Sequence, residues 1–348
     1  MKDVSMINRQ SNIELLRIIA ILAIICHHVL VHGVGIYKVQ LSEHDWLYSF
    51  VNCLCYTGVN IFILISGYFS IRFSWQKLWH LFLMCAVVAG LGYLWHCYQE
   101  NMSIGRNFIY TTIFAFSRSG LWYVLPYVCL FLLSPFINSL LEQLSKSDFT
   151  KLLIVLIVIS CYFGWFWQND VNKNGFCLMQ FVTMYAIGFY VKRYDICKIM
   201  RILAWGGVIF AFVIMQMLLV YYLLRVEGRL FPPVPFIYAY NSPFLIIASV
   251  GCLCMFLKME ICSKVINFVA KTTFGVYLIH CNQYVWNEWI EALRPIYMNS
   301  FVGVIGCVLI IYVITAGLDI AIRYVLVNPL HKYTIKLIDV VKKHVSEN

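Results

Sequence analysis

The sequence is poor in charge. Only 12% of its 348 residues are Asp, Glu, Lys or Arg, roughly half the share of about 25% in a soluble globular protein. That shortage excludes an ordinary soluble enzyme, a nucleic-acid-binding module and a disordered chain. The sequence shows no long soluble insertion, internal repeat or low-complexity tract, and no cleavable signal peptide is evident. Its first apolar run carries Arg17 and two histidines, is long enough to span a bilayer, and lacks a small-residue cleavage pattern. The 14 cysteines do not read as a framework. The close pairs Cys53/Cys55 and Cys252/Cys254 have one intervening residue, which is neither zinc-ribbon nor redox spacing. Most others, such as Cys26, Cys85, Cys129 and Cys307, fall in apolar runs where a thiol behaves as a small hydrophobe, so the cysteines are expected to be packing residues.

What is abundant is apolar and aromatic. The chain is 62% hydrophobic and 17% aromatic, with 10 Trp and 23 Tyr, a composition that suits aromatic belts at two lipid–water interfaces. At about 20 residues per spanning helix plus a connection, the length leaves room for roughly ten spans. Ten apolar runs answer that expectation, near 13–33, 49–71, 78–98, 121–141, 152–168, 177–191, 203–224, 243–257, 273–290 and 301–322. The fifth, sixth, eighth and ninth are short enough to be tilted, partly buried or re-entrant. The expected fold is therefore all-α, a polytopic transmembrane helical bundle forming one domain over 1–348. With the N-terminus placed in the cytoplasm, the basic residues divide about 19 to 7 in favour of that side, which predicts that both termini are cytoplasmic. The basic stretch 331–348 is expected to be a cytoplasmic tail along the anionic leaflet.

Charged groups inside lipid cost several kcal/mol, so they are the first places to look for function. The first apolar run holds the densest set: Glu14, Arg17, His27, His28 and His32. Arg17 and His28 are eleven positions apart, which at about 100° per residue puts them on one helix face, roughly 16 Å apart along the axis. Glu14 shares that face and can pair with the guanidinium. A guanidinium suits phosphate, and a histidine further along the same face can act as a general base. A ligand with an anionic head and a thin arm reaching inward fits both, and acyl-coenzyme A has that shape. The simpler alternative makes Arg17 an interfacial anchor and His28 a helix–helix hydrogen-bonding residue. A metal is not expected: His28 and His32 are an i, i+4 pair, but no carboxylate or further histidine accompanies them at ligand spacing. Elsewhere, Ser66-Gly67-Tyr68 closes the second run, followed by Arg72, Lys77 and His80. Leu121-Trp122-Tyr123 opens the fourth, His280 sits within the ninth, and Asp319 is placed to pair with Arg323 in the tenth.

These residues resemble the acyltransferase 3 family of integral membrane O-acyltransferases. Ile13-Glu14-Leu15-Leu16-Arg17-Ile18-Ile19-Ala20, followed by His28 and Gly33, is similar to that family's first-helix signature of a basic residue, ten positions, then histidine. Phe62 to Phe69 is similar to its second-helix motif of Ser-Gly and an aromatic residue. Leu121-Trp122-Tyr123-Val124-Leu125 through Pro135 is similar to its Leu-Trp-aromatic segment, and Gly275 to His280 to its late segment ending in histidine. The matches occur in family order.

The resemblance implies transfer of an acyl group, usually acetyl, from coenzyme A to a sugar hydroxyl of a surface polysaccharide or glycolipid. It places the protein in a bacterial inner membrane as a multi-pass enzyme. Acyl-CoA is then a co-substrate, no cofactor is bound, and the partners are the donor, the glycan acceptor and the bilayer, with no nucleic acid. Arg17 and His28 become the essential pair. Arg17, Lys77 and Arg72 would meet the donor, while Glu14, Ser66, Tyr68, Trp122, Tyr123 and His280 would line the substrate path. The chain departs from the family in one place: an Arg-x-x-Arg pair common after the second helix is replaced by Lys77 and His80. His28 could deprotonate the acceptor for direct attack, or carry the acyl group covalently. A competing class is a transporter or flippase of a glycan precursor, against which stands the absence of a visible inverted repeat.

Overall fold

The structure is a computed structural model, and it describes residues 10–36, 45–118, 120–166, 173–199 and 239–346. Among them all long regular structure is helical and no strand occurs. Helices α1 (Ser11–His28), α2 (Asp45–Cys55), α3 (Thr57–Phe69) and α4 (Trp75–Gln99) are followed by the short α5 (Arg106–Ile113) and α6 (Ala115–Arg118). Then come α7 (Val124–Gln143), α8 (Lys146–Ile157), α9 (Leu178–Arg193) and the single turn α10 (Ile196–Ile199). After residue 239 the chain forms α11 (Pro243–Leu257), α12 (Lys264–Val269), α13 (Thr273–His280), α14 (Trp286–Tyr297), α15 (Phe301–Ile322) and α16 (Asn328–Ser346).

Six helical stretches are long and apolar enough to cross a membrane: Ser11–Val34, Leu47–Phe69, Trp75–Gln99, Val124–Gln143, Lys146–Gly164 and Phe301–Val340. They correspond to the first five expected runs and the tenth. The eighth expected run is the 15-residue α11 and the sixth the 16-residue α9, both helical but shorter. The seventh, near 203–224, lies outside the described residues. The ninth is a correction. Instead of one helix over 273–290, the chain runs through α12, a 3₁₀ turn at Ala270–Thr272 and α13, then breaks at Cys281–Val285 before α14. Asn282 fixes the break: its side-chain oxygen accepts from the Tyr284 backbone N–H at 3.0 Å, and its amide donates to the Val88 carbonyl of α4 at 3.1 Å. This local side-chain bonding competes with helix continuation, and it falls where the polar pair Asn282-Gln283 interrupts the apolar run.

Serine starts four of the helices. Ser74, Ser145, Ser263 and Ser300 each accept a backbone N–H from the first turn of α4, α8, α12 and α15 at 3.1–3.3 Å, satisfying one of the donors that a helix start leaves open. At its other end α1 widens into a π-helical turn, Val29–Val34, closed by Gly35 in the left-handed region at φ 76°.

The fold is organised around α1, which packs against α2, α3, α11, α12, α13 and α15. Its start is tied down by Asn12, whose amide donates to the Phe256 carbonyl at 2.8 Å, and by Ser11 bonding Ser263. Helices α3 and α9 approach backbone to backbone at two glycines. A Cβ on Gly67 would stand 2.1 Å from the Tyr185 carbonyl oxygen, and one on Gly188 would stand 2.2 Å from that of Leu64. Small residues at such crossings let helices associate closely in lipid, where apolar burial gives no driving force between them. The outward faces of α7, α8 and α15 expose Leu133, Phe136, Ile154, Val155, Leu309 and Val313, as lipid-facing helices should. The cysteines are buried packing residues in most cases, with one correction: Cys254 is disulfide-bonded to Cys197, joining α11 to α10.

Candidate functional site

Beside α1 lies a cavity of about 440 Å³, lined by residues of α1, α2, α3, α4 and α7, by Trp122 and Tyr123 just before α7, by Tyr240, by the 270–277 segment and by Arg323 in the turn that follows α15. Arg17 and His28 both line it, as do Ile21 and Ile24 between them. The helical arithmetic explains why: residues three, four, seven and eleven apart share a face. One wall is therefore set by a single straight element, with a guanidinium near its start and an imidazole near its end.

The imidazole is oriented from behind. His28 Nδ1 lies 3.1 Å from His280 Nε2, and His280 Nδ1 lies 2.7 Å from the Val276 carbonyl oxygen. A carbonyl only accepts, so His280 donates from Nδ1 and, as a neutral ring, presents a lone pair at Nε2. His28 then donates from Nδ1 and keeps its lone pair on Nε2, in a ring that faces the cavity. His280 itself is fully buried and does not line the cavity. Cys281 completes the cluster, with Sγ 3.4 Å from His28 Nδ1 and 3.1 Å from His280 Nε2. Trp286 of α14 covers the pair, its ring centroid 5.6 Å from that of His28 and 6.2 Å from that of His280.

The other end is basic. Arg17 is paired with buried Glu14 at 3.0 and 3.3 Å, and its guanidinium sits 5.9 Å from the Phe69 ring centroid. Lys271 and Arg323 line the same cavity. Arg323 is held by buried Asp319 at 2.7 Å and donates to the Lys271 carbonyl at 3.0 Å, so α15 and the 3₁₀ turn before α13 are locked together there. The approach is tight: a Cβ on Gly275 would overlap the Asp319 carboxylate. A second cavity of about 210 Å³ shares Leu81, Tyr127, Lys271, Phe274 and Arg323 with the first and adds Lys77 and His80. The two share five lining residues, so the joined walls carry four cations, Arg17, Lys77, Lys271 and Arg323.

The remaining wall is aromatic. Trp122 stacks on Tyr240 with centroids 5.3 Å apart, and Tyr123 stacks on Tyr127 at 5.6 Å. Tyr277 meets Tyr123 edge-on at 5.7 Å. Tyr240 is fixed by buried amides, since Asn60 donates to its carbonyl at 2.8 Å and Gln180 does so at 2.9 Å. Ser160 donates to Gln180 Oε1 at 2.6 Å. Buried polar groups that satisfy one another in this way rigidify a site.

Of the residues singled out in the sequence, Arg17, His27, His28, Ser66, Trp122 and Tyr123 line the main cavity. His280 and Glu14 stand directly behind, on His28 and Arg17 respectively. Lys77 lines the adjoining cavity, with Nζ 3.0 Å from the Arg72 carbonyl. Tyr68 and the exposed Arg72 line neither cavity, and the Tyr68 ring carries Lys192 at 5.6 Å instead. Sequence reasoning missed Lys271, Tyr240 and Tyr277, and set Arg323 aside as the partner of Asp319. The pairing is real, but it aims the guanidinium at the cavity rather than away from it. Lys271 sits one residue before Thr272-Thr273 and two after the apolar α12, a position at a helix break that periodicity does not mark.

A family model described as an acyltransferase domain matches residues 10–318 of the chain. No curated protein and no solved structure matches it.

Proposed function

The chain belongs to this acyltransferase family, and we propose that it moves an acyl group, acetyl foremost, from acyl-coenzyme A to a sugar hydroxyl of a cell-surface polysaccharide or glycolipid. It is a multi-pass membrane protein, and the proposed setting is a bacterial inner membrane with about ten spans and both termini cytoplasmic. The observation that carries the reading is one cavity lined by Arg17 and Lys271 as well as by the oriented ring of His28. At about 440 Å³ it falls in the range of small-molecule sites, roughly 300–1,000 Å³. The adjoining basic cavity would accommodate more of a large donor.

In this reading the donor's phosphates meet Arg17, Lys271 and Arg323, with Lys77 at the entrance. Arginine offers two parallel donors to a phosphate and stays charged. The thin arm then lies along the Ile21–Ile24 face of α1 toward His28. His28 Nε2 takes the proton of the acceptor hydroxyl. The oxygen bonds to the thioester carbonyl carbon, the carbon–sulfur bond breaks, and the coenzyme A thiolate leaves and recovers the proton from the imidazolium. His280 accepts from His28 Nδ1 throughout and supports the charge that His28 gains. General-base assistance of this kind is worth about 10²–10⁴ in rate. The Trp122–Tyr240 and Tyr123 faces suit the apolar face of a sugar ring and form the proposed acceptor wall.

The test uses purified protein in lipid nanodiscs with acetyl-coenzyme A, following coenzyme A release by chromatography. Release that requires added host glycolipid supports transfer. No release with any acyl donor, together with glycan movement across a vesicle bilayer, would instead establish a transporter.

A further inference from the structure

We propose that His28 Nδ1, His280 Nε2 and Cys281 Sγ form a binding site for a thiophilic divalent cation, with Zn²⁺ as the type. The three atoms are 3.1, 3.4 and 3.1 Å apart, and each can supply one ligand. A tetrahedral zinc ion with about 2.0–2.1 Å to nitrogen and 2.3 Å to sulfur needs its nitrogens roughly 3.3–3.4 Å apart and each nitrogen roughly 3.5–3.6 Å from the sulfur. The trio is therefore one face of such a tetrahedron to within about half an ångström.

The surroundings match a metal site as well. His280 Nδ1 is bonded to the Val276 carbonyl at 2.7 Å, the arrangement by which a second shell fixes the tautomer and orientation of a ligating histidine. Cys281 is set by the turn that breaks the helix after α13, and that turn is held by Asn282 against α4. Trp286 covers one side, and the three protein atoms leave a fourth position for a ligand such as water. Three protein ligands with one open position is a familiar zinc arrangement. In sequence the only hint was the i, i+4 pair His28 and His32. The fold supplies the missing partners from 252 and 253 residues away.

Binding is balanced by protons. Cys281–SH gives up its proton as the Zn–S bond forms. A metal on Nδ1 of neutral His28 also moves that ring's proton to Nε2, which removes the lone pair facing the cavity. If the acyl-transfer reading holds, Zn²⁺ is consequently an inhibitor, a consequence that rests on that reading while the site itself does not.

The experiment takes the full-length protein in nanodiscs and follows alkylation of individual cysteines by mass spectrometry, with and without Zn²⁺. Zn²⁺ is expected to slow alkylation of Cys281 by about tenfold or more while leaving the exposed Cys262 unaffected, and His280→Gln is expected to remove the protection. Equal alkylation of Cys281 with and without Zn²⁺ would overturn the site. A second measurement, the Cd²⁺–thiolate absorption band, is expected in the wild type and absent in Cys281→Ser, a near-isosteric change. A band of equal strength in both proteins would show the metal on other thiols and overturn the site too. Protection of Cys281 without any loss of acyl transfer would keep the site and overturn the role of His28 as base.

Discussion

Replacing His280 by alanine removes the partner of His28 Nδ1 without touching the cavity wall, because His280 is fully buried behind His28. A neutral buried hydrogen bond contributes about 0.5–1.5 kcal/mol net, and one to a charged group about 1.5–3 kcal/mol. In the proposed reaction His28 becomes an imidazolium, so the bond to His280 strengthens by roughly 1–1.5 kcal/mol between ground state and transition state. That difference alone is about a tenfold fall in kcat. Loss of a fixed tautomer and ring orientation adds to it, giving about 10–100-fold, still less than removal of the base itself at about 10²–10⁴. The KM for acyl-coenzyme A should stay within about twofold, since Arg17, Lys271 and Arg323 are untouched. His280→Gln can place an amide oxygen near Nδ1 and should recover part of kcat. The assay is steady-state transfer at saturating acceptor, normalised to folded protein from size-exclusion chromatography. Unchanged kcat, or a rise in donor KM alone, would refute the orienting role.

Arg17→Ala should raise the KM for acyl-coenzyme A by about 10–100-fold, equivalent to losing a charged hydrogen bond of about 1.5–3 kcal/mol, with Arg17→Lys intermediate; kinetics at varied donor concentration would read it. Gly188→Ala forces a Cβ to 2.2 Å from the Leu64 carbonyl oxygen, and overpacking of about 1–3 kcal/mol should appear as a lower melting temperature in detergent. Asn60→Ala removes one of the two amides that hold the Tyr240 carbonyl. It should cost about 1–3 kcal/mol of stability and raise the KM for the acceptor more than that for the donor. An unchanged acceptor KM would argue against the aromatic wall as the acceptor site.

Helix α1 was the most legible part of the chain. Lipid makes every charge in a spanning run expensive, so Glu14, Arg17 and His28 stand out, and helical periodicity is enough to put the last two on one wall. The Asp319–Arg323 pair was legible for the same reason, by its i, i+4 spacing. His280 was visible as a polar group within an apolar run, but its partner was not, because nothing local links residues 28 and 280. The break after His280 falls at the polar pair Asn282-Gln283, which the apolar and aromatic residues on either side outweighed; its cause is a single asparagine whose side chain bonds the backbone. Lys271 and Tyr240 were not found because Lys271 lies in the 3₁₀ turn before α13 and Tyr240 in the turn before α11, where periodicity gives no facing. The Cys197–Cys254 bond was hidden by the apolar context of Cys254 and a separation of 57 residues.

The central claim is acyl transfer dependent on His28. Membranes carrying wild type or His28→Ala, matched for inserted protein, would be incubated with acetyl-labelled acetyl-coenzyme A and the host's glycolipid extract, and the label followed. The account predicts label in a glycolipid with wild type and none above background with His28→Ala. Equal labelling by both proteins would contradict it.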